Sequence, residues 1–140
     1  MGGSSTMSAT AMPPTMPFWI SFVATVLLLV LALVTGFGHR RRAHLWVGPL
    51  TMVSLAITIV LTEELMRQYD FPRGDLDFHL YFAKAGGILA LPVIVTGLWL
   101  WRRPKARLWH RAAVIVWLIS VLTATATGLW VFTLGTLKVG

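Results

Sequence analysis

Four long apolar runs, at residues 18–37, 45–61, 78–101 and 112–132, dominate this chain, and short charged windows separate them. A helix needs about 20 consecutive apolar residues to cross the hydrocarbon layer of a bilayer. Each run therefore predicts one transmembrane helix, the second being the shortest because it meets Glu63. The expected fold class is all-α, a four-helix transmembrane bundle.

The windows between the runs are sorted by sign. All five carboxylates fall between Glu63 and Asp77, whereas Arg40, Arg41 and Arg42 form one basic cluster and Arg102, Arg103, Lys105, Arg107 and Arg111 form another. Basic loops flanking membrane spans stay on the cytoplasmic side. On that rule HRRRAH and RRPKARLWHR face the cytoplasm, and the acidic window and both termini face the exterior. A multi-pass protein of the bacterial inner membrane is expected. Trp19, Trp46, Trp99, Trp101, Trp109 and Trp130 lie near span ends, where indoles anchor at the interface; Trp117 is the exception, about two turns inside the fourth span.

Composition agrees with this placement. The chain is 56% hydrophobic and only 12% charged, with a mean hydropathy of +0.75, whereas a soluble domain carries about 25% charged residues. A net charge of +7 raises the question of nucleic acid. Its confinement to two short loops between apolar runs points instead to anionic lipid, and no nucleic-acid partner is expected. With no cysteine, there is no disulfide, thiolate nucleophile or iron–sulfur ligand. Residues 1–17 carry no charge, lack the basic start of a signal peptide and contain Pro13, Pro14 and Pro17. They predict a disordered outer tail before a transmembrane domain at 18–140, the prolines stopping the first helix from starting early.

Small and hydroxylated residues mark the faces on which lipid-embedded helices meet. The third span offers Ala83, Gly86, Gly87 and Ala90, and the fourth offers Ser120, Thr123, Thr127 and Gly128. Pro92 is expected to kink the third span, while Pro49 lies in the first turns of the second, where proline is better tolerated. Lys84 is the oddest residue, a cation one to two turns inside a span. It stands 18 residues from Arg102, as Glu63 stands 18 from Leu45. Both thus lie about 27 Å from the basic boundary. This predicts an intramembrane ion pair of Lys84 with Glu63 or Glu64, the alternative being a lysine that snorkels to the headgroups.

His39, His44 and His110 fall at the basic boundary and His79 at the acidic one, so no single centre can use all four. His44 and His110, each beside the start of a span, are candidate axial ligands for haem b; the plainer alternative is headgroup or capping histidines. His79 with Glu63, Glu64 and Asp77 supplies ligand types suited to zinc, iron or copper, without the tight spacing of a metal motif. No phosphate loop, HExxH motif, nucleophile arrangement or inverted transporter repeat is present.

The fourth span opens on His110–Arg111 and carries Thr127–Gly128 near its other end; HRRRAH precedes span two, and Pro92 lies in span three. In these features residues 39–132 resemble the four-helix membrane family called domain of unknown function 420, the CtaM/YozB-like oxidase maturation factors. The resemblance carries His110, Arg111, Thr127 and Gly128 over as family-matched positions. Family members carry histidine at the outer end of span two and inside span three, where this chain has Glu63, Glu64 and Lys84. It implies a non-enzymatic protein that assists assembly of a respiratory haem–copper oxidase, or serves as its accessory subunit, with haem b or copper as cofactor and other membrane subunits as partners. Two other expectations remain open: a b-type cytochrome passing electrons from quinol, and a structural subunit of a larger complex.

Overall fold

The computed structural model describes residues 15–138. Four helices account for nearly all of them: α1 (Met16–Phe37), α2 (Arg41–Met66), α3 (Arg73–Arg102) and α4 (Arg107–Leu134). A 3-10 turn at Pro104–Ala106 precedes α4, and two-residue strands β1 (Tyr69–Asp70) and β2 (Thr136–Leu137) flank the second helix pair. All four helices are long and apolar enough to cross a membrane. The chain is an all-α, multi-pass membrane protein. It divides into two compact units, one ending at Gln68 and the other beginning at Tyr69, and each is a helical hairpin.

The helices outrun the apolar stretches. α2 continues from 61 to Met66 through Glu63 and Glu64, and α3 starts at Arg73, five residues before the apolar run. Backbone hydrogen bonding continues into the headgroup zone when the residues favour helix, as Glu, Leu and Met do. At the start of α3, Asp75 in the first turn also complements the helix dipole. Residues 1–14 of the expected tail lie outside the described residues. Pro17 does not hold the first helix back; it sits within its first turn, where a missing N–H costs nothing.

In the first hairpin, α1 ends in a tight reversal. Gly38 N–H bonds to the Val34 carbonyl and Arg40 N–H to that of Thr35, with His39 in the left-handed region at φ 58°. This six-to-one closure normally places glycine at the left-handed position. The two helices then meet along a line of hydroxyls. Ser21 bonds Thr58 at 2.7 Å, Thr25 bonds Ser54 at 2.6 Å and Thr58 at 2.8 Å, and Thr51 donates to the Leu28 carbonyl at 3.1 Å. Thr25, Thr51 and Thr58 are buried. Lipid gives helices no hydrophobic reason to associate, so these bonds carry much of the specificity.

In the second hairpin, Gly86 lets α4 approach: a Cβ there would lie 3.5 Å from Val121 Cγ2. Gly87, also expected to admit a close neighbour, looks onto open space. Thr123 donates to the Ile119 carbonyl of its own helix. Trp117, out of place as an interfacial anchor, is 3% exposed and packs inside the hairpin, its Nε1–H without a hydrogen-bond partner among the described residues. The open end of this hairpin is clasped by a feature the hydropathy pattern did not announce. β1 and β2 pair antiparallel, Tyr69 opposite Leu137 and Asp70 opposite Thr136. Lys138 Nζ lies 3.7 Å from Asp70, and Tyr69 packs on Phe132 with ring centres 5.5 Å apart.

Candidate functional site

Three of the four histidines share one local arrangement, in which an imidazole near the start of one helix rests against a Thr–Gly pair near the end of its hairpin neighbour. His44 Nδ1 lies 3.0 Å from the Ala32 carbonyl and 3.5 Å from Thr35 Oγ1. His110 Nδ1 lies 3.1 Å from Thr96 Oγ1. His79 Nδ1 lies 3.2 Å from Thr127 Oγ1, and the Ala124 backbone is a second partner. The following glycine makes room for the ring in each case. A Cβ on Gly36, Gly97 or Gly128 would stand 3.1, 3.3 or 2.8 Å from Cε1 of His44, His110 or His79 respectively.

The hydrogen bonds assign the tautomer. A carbonyl only accepts, so the Ala32 oxygen requires the proton on Nδ1 of His44. The hydroxyls of Thr96 and Thr127 have their single protons on the Pro92 and Thr123 carbonyls, at 2.6 and 2.8 Å. Each therefore accepts from its histidine. In the uncharged form of each ring, Nδ1 carries the hydrogen and Nε2 carries the lone pair. Metal-ligating imidazoles are oriented in the same way, with the second nitrogen donating to an oxygen.

His44 and His110 stand at the basic ends of their hairpins and His79 at the acidic end of the second. Of the positions that the resemblance singled out, Thr127 and Gly128 meet His79, and His110 meets Thr96 and Gly97; Arg111 lies on the exposed side of α4. Thr35, Gly36, Thr96 and Gly97 were not singled out from the sequence. The signal was present nonetheless, because the dipeptide Thr–Gly occurs near the end of spans one, three and four. The carboxylates stand apart from this pattern. Glu63 and Glu64 are exposed in the last turn of α2, and Asp77 is exposed in the first turns of α3. Lys84 is exposed on α3, in the second hairpin, whereas Glu63 and Glu64 belong to the first. Among the described residues, no three His, Asp or Glu side chains gather closely enough to hold one ion.

No protein-family model, curated protein or solved structure matches this chain.

Proposed function

We propose that this chain is a small, non-enzymatic protein of the bacterial inner membrane that assists assembly of a respiratory haem–copper oxidase, or accompanies it as an accessory subunit, and handles haem b in that service. The observation supporting this reading is the common tautomer of His44, His79 and His110: Nδ1 tied to oxygen, Nε2 carrying the lone pair. Haem iron takes one axial imidazole on a side and needs no cluster of protein ligands. An ion held by three or four protein groups would need such a cluster. Arg40 and Arg42 beside His44, and Arg107 beside His110, add cations suited to haem propionates. With those windows toward the cytoplasm, the acidic window and both termini face outward.

Mild detergent extraction from native membranes tests the proposal. The expected result is a Soret band that weakens in His44→Ala and His110→Ala, together with retained oxidase subunits. A colourless preparation that carries no respiratory subunit rejects it. A b-type cytochrome is the second reading, favoured by the same anchored imidazoles. It requires the band to be reduced by quinol at a rate that supports turnover, whereas an assembly role requires loss of oxidase activity when the protein is absent.

A further inference from the structure

The turn joining α3 to α4 holds a cavity of about 370 Å³ lined by Trp99, Arg102, Arg103, Lys105, Ala106 and Trp109. Ala106, 3% exposed, is its buried wall, and the three cationic side chains are exposed around it. The nearest sequence carboxylate of this hairpin is Asp77, 25 residues before Arg102 along one continuous helix. At 1.5 Å per residue that is about 37 Å away, several Debye lengths at physiological salt. The positive charge here is therefore uncompensated within the hairpin. Three cations around one concavity attract an anion with more than one negative oxygen.

The indoles say which kind of anion. Trp99 and Trp109 stand on the last turn of α3 and the first turn of α4, at the ends of membrane spans. Trp109 is 65% exposed, although indole is a costly side chain to leave in water. Indoles favour the depth of the glycerol and headgroups, where one edge is apolar and the other wet. A free phosphate would have no use for them; a lipid with acyl chains below its phosphate would. We propose that this pocket binds the headgroup of an anionic phospholipid, best a diphosphatidyl one, with Arg102, Arg103 and Lys105 on the phosphates and Trp99 and Trp109 flanking the glycerol.

The test uses the purified full-length protein, titrated with cardiolipin, phosphatidylcholine and inorganic phosphate and followed by native mass spectrometry and thermal unfolding. Cardiolipin is expected to bind and raise the unfolding temperature, and phosphatidylcholine and phosphate to leave it unchanged. Arg102→Gln/Arg103→Gln should weaken cardiolipin binding roughly thirtyfold, as loss of two basic contacts at a lipid surface predicts. The charge-matched Arg40→Gln/Arg42→Gln should change it less than threefold. Trp99→Leu/Trp109→Leu, which leaves the charge intact, should also weaken it and keeps the test informative if the arginine variant does not fold. Equal losses from the two arginine pairs would show nonspecific attraction and overturn the site. So would stabilisation by inorganic phosphate alone, which would mark a free-anion site, or full binding by the tryptophan variant.

Discussion

The two hairpins are built on one plan and held by different chemistry. Both carry a Thr–Gly pair at the end of the leading helix and a histidine at the start of the returning one, Thr35–Gly36 with His44 and Thr96–Gly97 with His110. Between their ends they diverge. The first is stitched by Ser21, Thr25, Ser54, Thr58 and Thr51, spread along the spans. Among its described residues the second shows no such interhelical hydroxyl ladder, but Gly86 against Val121 and the buried Trp117. It adds a latch at its acidic end, His79 on Thr127–Gly128, and the β1–β2 clasp beyond. In the antiparallel register of the first hairpin that latch position falls to Phe18 on α1, which packs on Trp19 and Phe22 instead, and the glycine position falls to Thr62. In a solvent that gives apolar faces no reason to meet, either buried hydroxyls or close backbone approach can hold two helices together. This chain uses one in each half.

The sharpest test lies in the glycines. Ala at Gly128 sets a Cβ 2.8 Å from the His79 ring, and the ring or the helix must move. Overpacking of this kind costs roughly 1–3 kcal/mol. Gly128→Ala should therefore destabilise the protein by about 2 kcal/mol in detergent unfolding. Gly97→Ala, at 3.3 Å from His110, should be near neutral, because the helix preference of alanine, about 1 kcal/mol, offsets a small clash. Equal costs at the two positions would break the idea that the latch at the acidic end is the tighter one.

Smaller effects are expected in the first hairpin. Thr58→Val removes the bonds to Ser21 and Thr25 and should cost about 1 kcal/mol. A double-mutant cycle with Thr25→Val should return a coupling near the average interhelical value, about 0.6 kcal/mol. Zero coupling would reduce the ladder to an accident of packing. Of similar size, His39→Gly relieves a non-glycine residue held at φ 58° and should stabilise the first hairpin by about 0.5–1 kcal/mol, the left-handed penalty less the extra chain entropy of glycine. An unfolding midpoint that falls instead would show that the imidazole has a role at the turn.

Much of this was legible in the chain itself. The four spans follow from run length, and the placement of charge at opposite ends follows from the windows at 40–42, 63–77 and 102–111. The boundaries were less legible, because hydropathy reports where lipid is and backbone hydrogen bonding reports where the helix is. Glu63 and Glu64 are outside the first and inside the second. The histidines were visible as candidates, but their partners were not. Thr35 and His44 are nine residues apart, Thr96 and His110 fourteen, and His79 and Thr127 forty-eight. No single spacing announces the shared arrangement.

What the amino-acid sequence determined alone is therefore the class of solvent and the count of crossings, since transfer into lipid depends on composition summed over a helix length. What only the tertiary structure decided is which side chains meet. A hydrogen bond needs two groups within about 3 Å and a glycine notch needs a ring laid against it. Both depend on the rotation and register of two helices against each other, which small differences in packing set and no one-dimensional pattern records.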